Sequence, residues 1–253
     1  MKTAIIYSSE TGFTKKYALW LEEKLGSDAK AYSLKEAKKV NFDDCDALVY
    51  GGTYNDLFNS VEKTSDGGYI VVGSTKSKKI NEVSTGVGNG LVVKYDKDGN
   101  VEWDKFYGGN AHEEFYDVIV VNDGYVAVGY TMSTDIEGLT NNGSNDGLVV
   151  KFDKDGNIVW QTLIGGTGDD YIHAIRVMPN GNLIVVGRFA SSIGEHTNNG
   201  GLDGFIGMLS SDGELIDSNL YGGTEKAEIR VDNSDGFDGD CCCDSGFKPS
   251  VDL

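Results

Sequence analysis

Apolar positions in the first fifty residues follow two periods. TAIIYSS (3–9) is a short, mostly apolar run of the kind a buried parallel strand shows. From Phe13 the apolar residues fall at Phe13, Tyr17, Trp20, Leu21 and Leu25, a helical spacing that stops at Gly26. AKAYSL (29–34) predicts a second strand, and DALVYGG (46–52) a third that runs into glycines. Strand, helix, strand, strand suits a doubly wound α/β sheet.

Beyond Tyr50 the pattern changes. Gly-Gly recurs at 51–52, 108–109, 165–166 and 222–223, always 57 residues apart. The units open GGTYNDLFNSV, GGNAHEEFYDV and GGTGDDYIHAI, continue GGYIVVGST, DGYVAVGYT and GNLIVVGRF, and end NGLVVKYDKDGNVEWDKFY, DGLVVKFDKDGNIVWQTLI and DGFIGMLSSDGELIDSNLY. A fixed period with such self-similarity is a repeat architecture. Each unit predicts four strands, in the first FNSVEKTS, GYIVVG, GLVVKYD and NVEWDKFY. The third and fourth are joined by Lys97-Asp98-Gly99-Asn100, an Asp-Gly hairpin signal repeated at Lys154-Asp155-Gly156-Asn157 and Ser211-Asp212-Gly213-Glu214. The second and third are apolar on both faces, as a sheet sandwiched between two others requires.

The chain therefore divides into an α/β segment (1–50), three repeats (51–107, 108–164 and 165–221) and a tail (222–253). The fold class expected is mixed: a partial α/β segment followed by all-β, four-stranded, propeller-type blades. The tail is acidic and glycine-rich, a composition that predicts disorder. Shifted back by one period, DALVY (46–50) falls on WDKFY (103–107), so Tyr50 aligns with Tyr107 and Tyr221. Both junctions of the repeat array fall at Tyr-Gly-Gly. That coincidence predicts a chimeric or truncated chain, spliced at a short shared motif.

The turn between the first strand and helix carries candidate chemistry. Ser9, Thr11 and Thr14 offer hydroxyls, and Gly12 lets backbone N–H groups close around an anion at a helix N-terminus. A plain Ser/Thr cap on an ordinary helix accounts for the same residues. IIYSSETGFTKKYALWL (5–21) resembles the phosphate-binding signature of the flavodoxin family at Ile5, Ile6, Tyr7, Ser9, Gly12, Thr14, Ala18 and Leu21, with Leu19 unusual for its slot. DALVYGGTY also resembles the third strand of that family and the start of the loop beside the flavin ring. The resemblance implies that Ser9, Thr11, Gly12 and Thr14 hold the phosphate of FMN and that the protein transfers electrons. It covers about fifty residues; the last two strands of a five-stranded sheet and the later flavin-closing loop are absent downstream. Residues 51–221 resemble the β-propeller repeats of bacterial surface and secreted proteins, which implies a non-catalytic binding or scaffolding module.

Composition narrows the choice. With 35 glycines and 2 prolines the chain is rich in tight turns. The net charge of −18 arises beyond residue 50, since residues 1–50 carry equal numbers of acids and bases. Such a surface repels phosphate backbones, so no nucleic-acid partner is expected. No run of 18 apolar residues predicts a membrane span, and MKTAIIYSSETG is a poor signal peptide. Read literally the chain is cytoplasmic, whereas the repeat resemblance alone implies a surface or secreted protein. Cys45 stands alone and Cys241, Cys242 and Cys243 are consecutive, so no disulfide framework is read. The triple cysteine invites a soft-metal reading, but adjacent cysteines do not easily reach one ion, and no metal ligands are assigned.

DKDGN (96–100 and 153–157) hints at a calcium loop, but its acidic spacing is too short and the later glutamate is missing. His112, His173 and His196 share no metal-ligand spacing, and His173 is expected as a core residue of a strand. No nucleophile, base and orienter recur together, so no catalytic residue is assigned. The longest polar loops, 76–89, 132–146 and 189–203, join second to third strands and are where a protein or carbohydrate ligand is expected. Three blades do not close a ring. Closure would come from two chains pairing into six blades, from the N-terminal segment capping one end, or from further repeats in a longer array.

Overall fold

The computed structural model describes residues 56–76 and 88–223 together with the strand backbones Lys2–Tyr7, Ala29–Ser33 and Cys45–Asp46. These three strands, β1 to β3, are parallel in the order β2-β1-β3, which is how a doubly wound sheet places its first three strands. The helix expected from Phe13 and the triple cysteine lie outside the described residues.

The rest is all-β, with no helix among the described residues. Three four-stranded antiparallel sheets follow one another along the chain. The first holds β4 (Asp56–Lys63), β5 (Tyr69–Thr75), β6 (Asn89–Tyr95) and β7 (Val101–Tyr107). The second holds β8 (Glu113–Val121), β9 (Gly124–Thr131), β10 (Asp146–Asp153) and β11 (Ile158–Ile164). The third holds β12 (Asp170–Val177), β13 (Leu183–Phe189), β14 (Asp203–Leu209) and β15 (Leu215–Tyr221). Each strand predicted from the repeats is present, displaced at its ends by one or two residues.

Packing explains the apolar middle strands. β8 lies on β4, β5 and β6, and β12 lies on β8, β9 and β10. One core forms between the first two sheets, with Ile70, Val72 and Val92 meeting Phe115, Ala127 and Leu148. A second forms between the next two, with Val126, Val128 and Val149 meeting Ile172, Ile175 and Val185. The second sheet is thus covered on both faces, and every residue of β9 is buried. Burying each such aliphatic side chain contributes about 1.5–3 kcal/mol.

Two polar clasps recur at both sheet boundaries. At one end, the Gly-Gly pairs at 108–109 and 165–166 pack beside the buried acid that opens the next sheet. Glu113 accepts from Thr131 Oγ1 at 2.7 Å, Ser133 Oγ at 2.5 Å and Gly109 N at 3.2 Å. Asp170, 57 residues on, accepts from Gly166 N at 2.8 Å, Ala190 N at 2.9 Å and Ser191 N at 3.0 Å. At the other end, Trp103 Nε1 donates to Lys154 O at 3.0 Å, and Trp160 Nε1 donates to Ser211 O at 3.1 Å. Each tryptophan thereby ties an outer strand to the hairpin of the following sheet.

Candidate functional site

The first strand of every sheet carries a bulge at the same place. Pairing with the second strand skips from Phe58 to Ser60, from Phe115 to Asp117 and from Ile172 to Ala174. The extra residues are Asn59, Tyr116 and His173, spaced by the repeat period. A bulge kinks its strand and turns one side chain away from the regular pleat. The backbone at the kink closes on the neighbouring strand, where a Cβ on Gly73, Gly129 or Gly187 would collide with the carbonyl of Leu57, Glu114 or Tyr171. Only glycine admits that approach.

The bulges gather a cluster of rings. Tyr116 stacks on His173 with centroids 5.0 Å apart and approaches Tyr130 at 5.7 Å. Tyr130 meets Tyr171 edge-on at 5.0 Å and His112 at 5.7 Å. Its hydroxyl lies 3.2 Å from His112 Nδ1. Arg188 sets its guanidinium 4.7 Å above the Tyr171 ring. Tyr116, Tyr171, His173, Arg188 and His112 are all half-buried. His173, expected as a core residue of a strand, does lie in a strand, half-buried on a bulge among rings.

Polar links fix the spacing of the first strands. Asn59 Nδ2 donates to Glu114 Oε1 at 2.9 Å and to Phe115 O at 2.8 Å. Ser60 Oγ donates to Asp117 Oδ1 at 2.9 Å, and Arg176 donates to Asp117 Oδ2 at 2.8 Å. Burial pushes the Tyr130 hydroxyl up to about 12 and raises Tyr116 further in the same direction, so both remain neutral donors at physiological pH. Burial also lowers His112, leaving its imidazole more readily neutral. Neutral hydroxyls and an imidazole edge beside ring faces make a surface for hydrogen bonding and stacking.

The second notable group is acidic. Asp146, at the start of β10, is fully buried, and its Oδ1 has no hydrogen-bond partner. Burial raises its pKa and neighbouring Asp170 raises it further; burial raises Asp170 as well. One period earlier the same place holds Asn89, so the carboxylate pair belongs to the boundary between the second and third sheets. Neighbouring buried carboxyls oppose each other's ionisation.

Other features are internally satisfied. In the DKDGN turns, Asp96 accepts from Asp98 N, Asn100 N and Asn100 Nδ2 at 2.8–2.9 Å, and Asp153 accepts from Asp155 N, Asn157 N and Asn157 Nδ2 at the same distances. These carboxylates serve their own hairpins. A cleft of about 240 Å³ between the first two sheets includes Asp66, Lys94, Glu102, Trp103 and Tyr125. Burial works against the Lys94 charge, but Glu102 at 2.7 Å and Asp66 at 3.0 Å outweigh it and raise its pKa. Among the described residues no three His, Cys, Asp or Glu side chains converge as a metal site, and no helix is long and apolar enough to cross a membrane.

Ser9, Thr11, Gly12 and Thr14 lie outside the described residues. Of the three long loops, 77–87 does so too, while 132–145 meets His112 through Met132 N, which donates to His112 O at 2.8 Å, and 190–202 meets Gly168 N through Ser191 Oγ at 2.8 Å. The ring cluster sits on the strands beneath those loops. Reading down the 57-residue column, through Asn59, Tyr116 and His173, was the sequence signal that would have found it.

The family described as Flavodoxin domain matches residues 4–61. That stretch takes in the parallel strands and ends inside β4, the first strand of the repeat array. No curated protein matches the chain. Among solved structures, a protein of unknown function from Bacteroides caccae is similar at 10% identity with a TM-score of 0.26, over 64% of this chain and 66% of that one. A score of that size carries no conclusion about fold or function.

Proposed function

We propose that the protein is a non-catalytic binding module whose three sheets are arranged as propeller-type blades, and that its ligand sits on the ring cluster of the first strands. The single supporting observation is the bulge repeated at Asn59, Tyr116 and His173, which puts a polar or aromatic residue at the same place in three successive sheets, with Tyr116 and His173 stacked on each other. In a propeller arrangement the first strands would line the central channel, where ligands are reached from the loops above. The ligand class is a carbohydrate or a protein segment. A glycan and peptide array probed with wild type and Tyr116→Ala tests the reading. Ligands that depend on Tyr116 support it; an array on which the two proteins behave alike refutes it.

A second reading has its own support. The family match over residues 4–61 and the parallel order β2-β1-β3 favour an FMN-phosphate site at Ser9, Thr11, Gly12 and Thr14, and hence an electron-transfer role. Absorbance in the flavin region with and without added FMN tests it. A bound-flavin spectrum lost in Thr14→Ala supports the reading, and no signal at saturating FMN removes it.

A further inference from the structure

Among the described residues, Arg188 is a cation without an anion. The other arginine of the third sheet, Arg176, is paired with Asp117 at 2.8 Å. Arg188 has no ion pair among the described residues, and its Nε is buried without a hydrogen-bond partner. Its one described contact is the face of Tyr171, 4.7 Å away. In a chain of net charge −18, a half-buried guanidinium left unpaired is a marked exception. Nearby carboxylates are already engaged: Glu114 accepts from Asn59 at 2.9 Å, and Asp169 accepts from Asn145 Nδ2 at 2.7 Å.

The surroundings of Arg188 have a specific chemistry. Stacking on Tyr171 holds the guanidinium plane and lowers the cost of ordering it. A planar fork held this way suits a carboxylate, which it can engage through two parallel N–H donors. Beside it lie the half-buried rings of Tyr116, Tyr171 and His173, whose outer edges suit the C–H groups of a sugar ring, Tyr130 itself being buried. The hydroxyl of Tyr171 is fixed by Asn145 Nδ2 at 3.0 Å, and that of Tyr130 lies beside His112. These groups offer fixed polar partners for sugar hydroxyls. An extended acidic peptide would instead bring several charges against a surface that has Glu114 and Asp169 close by.

We propose that the ring cluster binds an acidic saccharide, a uronate-bearing oligosaccharide whose carboxylate pairs with Arg188 and whose ring packs against the edges of Tyr116 and Tyr171. This deepens the binding-module reading and rests on it. The test is calorimetric titration of the full chain with trigalacturonate, neutral cellotriose and a tetra-aspartate peptide, using wild type, Arg188→Gln and Arg188→Lys. Unchanged tryptophan fluorescence in the variants establishes that they are folded. Trigalacturonate is expected to bind wild type roughly tenfold or more tighter than cellotriose, to lose roughly tenfold in Arg188→Gln, and to regain only part of that in Arg188→Lys. Equal binding of cellotriose, or equal binding by Arg188→Gln, overturns the proposal. Binding of the peptide without the saccharide overturns it while leaving the binding-module reading intact. Failure of all three probes overturns the saccharide assignment, and the Tyr116-dependent array then decides the broader reading separately.

Discussion

Three glycines provide an internal control for what holds the sheets together. Gly99, Gly156 and Gly213 occupy the same place in the three hairpins, with φ of 86°, 77° and 83°. Alanine in this left-handed region costs about 1–2 kcal/mol at each. Their surroundings differ. A Cβ on Gly99 meets nothing within 4 Å, whereas on Gly156 it would lie 2.9 Å from two atoms of the Trp103 ring. On Gly213 it would lie 2.5 Å from Trp160 Cε3. A tryptophan wedged in a clasp has little room to yield, so overpacking adds about 1–3 kcal/mol. If the indole moves, its hydrogen bond to Lys154 O or Ser211 O goes too, adding about 0.5–1.5 kcal/mol.

Gly99→Ala is therefore expected to cost about 1–2 kcal/mol, and Gly156→Ala and Gly213→Ala about 2–5 kcal/mol, with Gly213→Ala the most severe. Urea unfolding followed by tryptophan fluorescence and by far-ultraviolet circular dichroism gives the comparison, provided the two probes coincide. Truncating the ring should remove the excess, so Trp103→Ala and Gly156→Ala are expected to be strongly non-additive. Equal costs at all three glycines, or additivity of that pair, would refute the clasp as a source of cohesion.

Further predictions follow from the acidic boundary and the ends of the array. Asp146→Asn places at the second boundary the residue already found at Asn89, and is expected to raise the melting temperature near neutral pH. The raised pKa values of Asp146 and Asp170 mean that the folded state holds protons longer than the unfolded chain. Their favourable contribution is present below the ordinary value of 3.8 and lost as pH rises through the folded-state values. The variant's advantage should shrink as pH falls toward 3.8, and a variant less stable than wild type near neutral pH would contradict the reading that burial of the Asp146 carboxylate is unfavourable. Glu113→Ala strips the acceptor from Thr131, Ser133 and Gly109 N and is expected to cost about 1–3 kcal/mol, with Glu113→Gln milder in the same thermal melt. Light scattering is expected to give the mass of one chain. In a six-sheet ring of two copies, Asp217 would stand where Trp103 and Trp160 clasp the next hairpin, and an aspartate cannot donate to that carbonyl; a dimer would refute this.

The strands were legible because strand burial leaves a pattern in residues a few positions apart. GYIVVG and GLVVKYD carry apolar residues on both faces, and they became β5 and β6, the covered middle of a sheet. The bulges were not legible in any one repeat, since an extra residue such as Asn59 reads as ordinary alternation until its pairing partner is known. The Gly-Gly punctuation was visible, but its work was not: Gly166 N bonds to Asp170 while the neighbouring glycine packs over Asp146, and those acids come from different sheets. Arg188 and Tyr171 likewise lie in different strands, and nothing in the spacing of the three histidines announced that two would share one cluster.

The repeat separates what must stay constant from what can vary. The bulge requires glycine opposite it, and Gly73, Gly129 and Gly187 supply it in every sheet because a side chain there would strike backbone that cannot move. The bulged residue itself faces no such demand, and it is asparagine, tyrosine and histidine in turn. Changing it alters the exposed chemistry without altering the kink. The ring chemistry can thus change at residues 116 and 173 without altering the kink, whereas residue 59 also carries the hydrogen bonds to Glu114 and Phe115 O, and Gly129→Ala would displace Tyr116 without touching its ring. The flavodoxin-like match ends at residue 61, after the first of these positions. Asn59 therefore lies within the matched stretch and also within β4, where its antiparallel partner β5, and not the parallel sheet, sets its position. The repeat array determines the spatial role of the matched stretch's last residues, so replacing Asn59 by tyrosine, as in the second sheet, should extend the ring cluster and leave the parallel strands unaffected.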